Sequence, residues 1–258
     1  IVSSPNSIVT KGSTYSNKAN LSKVFINNVI KKYEGTRLGR QELYADILDD
    51  NPNALWKREW IDRDRVSKVP NMYRIVVGVD PQGVSKDQII LKEKPTETGI
   101  VCVGVSKIDG VDHYYIIDDS SINGRPSVWA NQAVSCYYRN DADRIIPEKN
   151  FGGEMVESTI KNEDKKVSVV PVSASRGKEI RAEPISLLYE QGKVHHVGTF
   201  PELEDELCEW VPGERSPNRL DAAVWAITYL SNKQVHTTPP PRNQLTPNRR
   251  SRTLNLPE

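Results

Sequence analysis

The stretch Tyr73-Arg74-Ile75-Val76-Val77-Gly78-Val79-Asp80-Pro81 decides how the chain is read. Its run of β-branched and apolar residues predicts a strand over 73–80. The strand runs straight into a carboxylate, and Pro81, with no backbone N–H, stops it. Two more acids take comparable places. Glu148 closes the strand-like Arg144-Ile145-Ile146-Pro147-Glu148, and Asp221 lies early in the helix that opens Ser216-Pro217-Asn218-Arg219-Leu220-Asp221-Ala222.

Outward from residues 73–80, strands are predicted over 99–107 and 111–118. Asp109-Gly110 between them is a two-residue hairpin signal. A loop covers 81–98, with a short strand near Ile89 to Leu91. A helix is expected over 127–139, a fourth strand over 143–148, a helix over 154–161 after Gly152-Gly153, and a fifth strand from Val167 to Val172. Pro184 would disrupt a helix interior, so the next helix is expected to start near Glu183 with the proline in its first turn. Gly192 ends it, and an edge strand over 194–197, a helix over 201–210 and a last helix over 217–231 complete the order. Hairpin-linked strands followed by alternating strands and helices predict an α/β fold with a mixed sheet covered by helices.

On the N-terminal side, 1–20 is polar. Leu21, Phe25 and Val29 mark one helix over 21–32, and Leu43, Ile47 and Leu48 a second over 39–48. Trp56 and Trp60 are expected to pack this extension on the main domain. The reading is therefore a linker and helical extension over 1–70, one domain over 71–231, and a disordered, mildly basic tail over 232–258 holding Pro239-Pro240-Pro241 and Arg249-Arg250.

Composition narrows the function. A chain of 258 residues with 37% hydrophobic content can bury one ordinary core. Its formal net charge of +1 gives no global polybasic signal, so nucleic-acid binding has to come from a local patch. Cys102, Cys136 and Cys208 are scattered, which fits a reducing compartment and neither a disulfide framework nor a zinc site. No apolar run approaches the ~20 residues of a membrane span, and the start lacks a signal-peptide n-region. The missing initiating Met leads us to expect a fragment of a longer protein.

If the strands ending in Asp80 and Glu148 are adjacent and parallel, both carboxylates sit at the carboxyl edge of the sheet, where open α/β sheets place their sites. Acids crowded there repel one another, and bound divalent metal removes that cost. Two ions about 4 Å apart can activate a water and stabilise the leaving oxygen of an in-line displacement. Magnesium suits a few carboxylates plus water and phosphate. This pattern reads as a metal-dependent enzyme acting on phosphodiesters. Ser216 is expected as the N-cap of the last helix and Pro217 as its first residue. A single acid at a strand end is usually a turn residue, so spacing alone gives the site modest support. Asp118 and Asp119 read as a turn. His113, His195, His196 and His236 read as structural or exposed, with His195-His196 a lesser candidate for substrate contact.

Several stretches resemble the large terminase subunit of tailed bacteriophages. They are Gly35-Thr36-Arg37-Leu38-Gly39-Arg40-Gln41-Glu42-Leu43-Tyr44, Val77 to Pro81, Arg176 to Pro184, Leu188 to Val194, and Ser216 to Ala222. The resemblance runs from about residue 10 to 230. It implies an RNase H-like nuclease domain, joined in the full chain to an N-terminal packaging ATPase, that cuts concatemeric viral double-stranded DNA in the host cytoplasm. It implies Asp80, Glu148 and Asp221 as the catalytic and metal-binding acids, with Mg2+ or Mn2+ as cofactor and two ions the expected number. Glu148 is the loosest match, and Asp118 is its substitute. The small terminase subunit and the portal protein are implied as partners. No Gly-x-x-x-x-Gly-Lys-[Ser/Thr] phosphate loop occurs, so this piece is not expected to hydrolyse ATP.

The best local DNA-binding patch is Arg176, Lys178 and Arg181, on the loop and helix start after the fifth strand. Lys149 and Asn150 adjoin Glu148 and can orient a phosphate or water. Two other readings stay open: a resolvase- or transposase-type nuclease with the same acids, and a non-catalytic docking module of the motor.

Overall fold

In the computed structural model the described residues are 51–81, 97–149, 153–173 and 178–232, with scattered positions between 12 and 43. The chain divides into two compact units, Ile1–Pro52 and Asn53–Glu258. In the first, the Thr14 N–H donates to the Leu43 carbonyl at 2.9 Å, and Leu43 is buried. Of the two helices expected there, Lys23, Val24 and Leu43 are helical, and the other positions from 25 to 50, the loop strand near 89–91, and the tail from 233 lie outside the described residues.

The second unit is built on a five-stranded sheet: β1 (Arg74–Asp80), β2 (Gly99–Ile108), β3 (Val111–Asp119), β4 (Arg144–Pro147) and β5 (Val194–His196), in the order β4-β1-β2-β3-β5. β1, β2 and β3 are antiparallel neighbours, whereas β4 joins β1 and β5 joins β3 in parallel. The mixed sheet is the one expected. Asp109 and Gly110 make the tight hairpin turn, with φ of 50° and 82°. Positive φ at both central residues matches the right-handed twist of the strands they join.

Alternation along each strand sends side chains to two cores. On one face Val76, Val101, Val103 and Ile146 pack with Leu220, Ala222, Ala223 and Ile227. On the other, Val77, Val79, Ile100, Cys102 and Ile145 pack with Trp129, Ala130, Ala133 and Cys136. Burying each Val, Leu or Ile side chain among them stabilises the fold by roughly 1.5–3 kcal/mol. The helices are α1 (Arg58–Arg63), α2 (Pro126–Arg139), α3 (Gly153–Glu163), α4 (Lys178–Glu190), α5 (Pro201–Glu209) and α6 (Asn218–Ser231). Trp56 and Ile61 belong to the first core, where the Trp56 ring meets Tyr189 and Trp210, each at 6.2 Å between centroids.

Three expectations are corrected. Residues 167–172 do not form a regular strand; they follow β4 through isolated parallel bridges at Ile145–Val169 and Glu148–Val172. The Ile145 N–H donates to Ser168, Val170 to Ile145, Val172 to Pro147 and Lys149 to Val172, at 2.6–2.9 Å. The bond due in the middle would need an N–H on Pro147, which proline lacks. Second, α4 begins at Lys178 and carries Pro184 in its interior. Pro184 lies on the exposed face and Ile180, whose carbonyl loses its partner, is 55% exposed, so water can satisfy that carbonyl. Third, Pro217 rather than Ser216 is the N-cap of α6, with no side-chain cap bond.

Candidate active site

Asp80 and Glu148 are brought side by side. β1 and β4 run parallel with Val79 opposite Pro147, and the next residue's N–H, that of Glu148, donates to the Val79 carbonyl at 2.9 Å. Two-residue periodicity places Asp80 on the face of Val76 and Gly78, and Glu148 on the face of Ile146. That is the face α6 covers. Asp80 is 2% exposed and Glu148 1%. A strand that is apolar to its last residue delivers its acid into an enclosed space at the sheet's carboxyl edge.

Two glycines set the position of α6. A Cβ on Gly78 would lie 2.1 Å from the Ala222 carbonyl oxygen, and one on Gly99, paired with Asp80, would lie 1.9 Å from the Asn218 carbonyl oxygen. The first turn of α6 therefore lies directly over the end of β1, and Asp221 is on that turn, 3% exposed. The Ser216 hydroxyl donates to Asp221 Oδ2 at 2.5 Å. The serine that sequence reading assigned to capping instead holds the carboxylate.

Asp221 and Trp225 are four residues apart and share one stripe of α6. The Arg181 guanidinium lies over the Trp225 ring, 3.9 Å from its centroid, with Nη2 3.7 Å from Glu148 Oε1. That stripe therefore faces the β4 side, toward Glu148. Glu148 Oε2 is buried and has no hydrogen-bond partner, and neither Nε, Nη1 nor Nη2 of Arg181 has one. Arg181 thus does not belong to a solvated loop; it is inside the acid site. Of its companions in the sequence-read patch, Arg176 lies outside the described residues and Lys178 is the first residue of α4.

A second network fixes the start of α6. Arg219 donates to Asp119 Oδ2 at 2.6 Å and to Glu97, and its Nε is 3.7 Å from Glu206. The Leu220 N–H donates to Glu206 Oε2 at 3.1 Å. Burial pushes the Glu206 carboxyl up to about 8 against the pull of that N–H and of Arg219. Sequence reading missed this network, whose members are spread from 97 to 219.

Asp118 is on the opposite face. It accepts from Arg139 Nη2 at 2.6 Å and from Asn140 Nδ2 at 2.9 Å, both at the end of α2. The described histidines are structural. His196 is fully buried and held by Glu204 and Tyr189, each at 3.0 Å, and His195 stacks on His113 and Tyr115. Burial lowers the pKa of His196 below the usual imidazole range, while the His196 and Arg65 contacts hold Glu204 well below the usual carboxylate range in spite of its own burial. The three cysteines are buried and free.

Among the described residues, no group of three or more His, Cys, Asp or Glu is arranged to hold a metal ion. Asp80, Glu148 and Asp221 are neighbours on three elements rather than a closed ligand cluster. Their chemistry suits a hard cation, since all three supply carboxylate oxygens and Glu148 Oε2 is an unpaired buried acceptor.

A mixed sheet with antiparallel hairpins and a parallel fourth strand, flanked by helices, defines an RNase H-like fold. The chain belongs to the terminase RNaseH-like domain family, whose model matches residues 77–233. No curated protein matches it. Among solved structures it is similar to the large terminase nuclease of thermophilic phage G20c, at 14% identity and TM-score 0.43 over 66% of this chain and 90% of that one. It is also similar to a mutant nuclease domain of the large terminase subunit of bacterial virus Sf6 with manganese, at 13% identity and TM-score 0.47 over 67% and 98%. A third is the large terminase of another thermophilic bacteriophage, in complex with ATP-gamma-S, at 13% identity and TM-score 0.48 over 80% and 52%. Among the described residues no helix is long and apolar enough to cross a membrane.

Proposed function

We propose that the chain is the nuclease part of a phage packaging terminase, a divalent-metal-dependent endonuclease that cuts concatemeric double-stranded viral DNA in the host cytoplasm. Family membership supports the class of activity. The observation that carries the site is the pairing of Asp80 with Glu148 at the carboxyl edge of adjacent parallel strands, beneath the turn that bears Asp221. Asp80, Glu148 and Asp221 would hold the cation, Mg2+ or Mn2+, with two ions the number proposed. When bound, it supplies a Lewis acid that lowers the pKa of a water and stabilises the leaving oxygen.

The protein's own groups have definite tasks. Glu148 Oε2, buried and unpaired, is free to bind the cation or accept a proton from the attacking water. Ser216 orients Asp221 by a charge-assisted hydrogen bond. Arg181 offers unpaired donors to phosphate oxygens beside the acids. Arg176 and Lys178 are proposed to extend that phosphate contact. The division into a 1–70 extension, a 71–231 nuclease domain and a 232–258 tail is retained as a proposal. So are the partners: an ATPase domain in the same full-length chain, the small terminase subunit and the portal. Nicking of supercoiled plasmid in Mg2+ or Mn2+ tests the function; undiminished cutting by purified Asp80→Ala would remove the site assignment.

A further inference from the structure

Arg181 stands where a cation should bind, yet it is poorly fastened there. Its side chain is 10% exposed and Glu148's is 1%, and their closest approach, 3.7 Å, is too long for a hydrogen bond. Nε, Nη1 and Nη2 are all without hydrogen-bond partners. The guanidinium is held chiefly by its stack on Trp225, at 3.9 Å. Stacking fixes a plane but leaves the group free to slide within it, since no directional bond has to break. A buried arginine usually completes several donor contacts. This one neutralises a carboxylate and keeps its donors unused.

We propose that Arg181 is a built-in counter-ion for Glu148 which a divalent cation must displace, and that DNA phosphate draws it away, so that metal and DNA bind cooperatively. The inference rests on the proposed nuclease site and adds its regulation. Without metal, Arg181 offsets the repulsion among the acids. A cation entering on Glu148 meets the arginine's positive charge and is opposed by it. A phosphodiester reaching the cleft offers the planar guanidinium the paired oxygens it lacks, in the bidentate geometry arginine favours. Moving onto phosphate, Arg181 frees Glu148 for the metal. Linkage makes the effect reciprocal: metal strengthens DNA binding by the factor that DNA strengthens metal binding. Such a device would keep the nuclease poorly loaded with metal until DNA is in place.

The test is calorimetric titration of the full chain with Mn2+, with and without a short DNA duplex, in the cold where cutting is slow. For the unmodified protein the duplex should tighten Mn2+ binding by about tenfold, within the ordinary range of coupling. Arg181→Gln, which keeps the stem and removes the charge, should bind Mn2+ about tenfold more tightly without DNA and lose most of the coupling. Arg181→Lys keeps the charge without the fork and should retain weak Mn2+ binding while losing coupling. It also serves as the arm if the glutamine variant fails to melt cooperatively. Equal or weaker Mn2+ binding by Arg181→Gln, or coupling unchanged in Arg181→Lys, overturns the counter-ion role. Those results leave the nuclease reading intact provided Asp80→Ala abolishes Mn2+ binding. Absence of Mn2+ binding to the unmodified protein with the duplex present overturns both.

Discussion

The Ser216 hydroxyl donates to Asp221 Oδ2 at 2.5 Å across five positions of the chain, so the residue preceding the α6 N-cap serves the candidate site. A hydrogen bond to a charged group contributes about 1.5–3 kcal/mol. Ser216→Ala should weaken Mn2+ binding and plasmid cutting by about tenfold, while Ser216→Thr retains most of both. Titration of metal affinity alongside the cutting assay checks this, and loss of melting temperature without loss of metal affinity would reduce Ser216 to a structural role.

Activity and stability should separate at different acids. Asp80→Asn and Asp221→Asn remove a buried carboxylate charge from the candidate site, so each should abolish cutting in Mn2+. Mn2+ should raise the melting temperature of the unmodified protein only. Asp118→Asn should do the reverse, keeping cutting while losing about 1–3 kcal/mol of stability through its contacts to Arg139 and Asn140. Denaturant melts and plasmid nicking on the same preparations separate the cases.

Gly78→Ala should be among the most damaging single methyl additions in the chain. The new Cβ would meet backbone, the Ala222 carbonyl oxygen at 2.1 Å, so α6 must move bodily. Overpacking typically costs 1–3 kcal/mol and here should reach about 3 or more. Urea unfolding measures the loss, and cutting should fall further than stability because Asp221 moves with the helix.

Glu206 predicts a pH dependence of stability. Its folded pKa is raised from 4.5 to about 8, chiefly by burial. The folded state therefore holds this proton more tightly than the unfolded chain does. Its contribution is full below about pH 4.5 and is lost as pH rises toward about 8. The urea midpoint should fall across that window in the unmodified protein and fall less in Glu206→Gln. Parallel slopes would remove Glu206 as the titrating group.

Pro184→Ala should stabilise the fold by about 1–3 kcal/mol, because alanine restores an interior hydrogen bond to the Ile180 carbonyl in α4. A thermal melt decides it.

Much of this fold is legible in the chain itself. The apolar run before Asp80, the Asp109-Gly110 turn, and the spacing of strands and helices are local signals, written within ten or so residues of where they act. They determined the strand ends that carry Asp80 and Glu148, the helix that carries Asp221, and the hairpin that orders the first three strands. What the tertiary structure decided is who meets whom across long separations. It turned Ser216 from a cap into a carboxylate partner, moved Arg181 from a surface patch onto Glu148 and Trp225, and sent Asp118 to the opposite face. It also tied Glu97, Asp119 and Glu206 to Arg219. Those outcomes depend on α6 lying against Gly78 and Gly99 and on α4 packing against α6, which carries Arg181 to Trp225 and Glu148. A proline that reads as a helix stop is accommodated on the exposed face of α4, and a proline in β4 breaks a ladder that reads as continuous. Local pattern sets which groups can form a strand or a helix; packing of distant segments decides which charged groups are buried together, and that is where the chemistry resides.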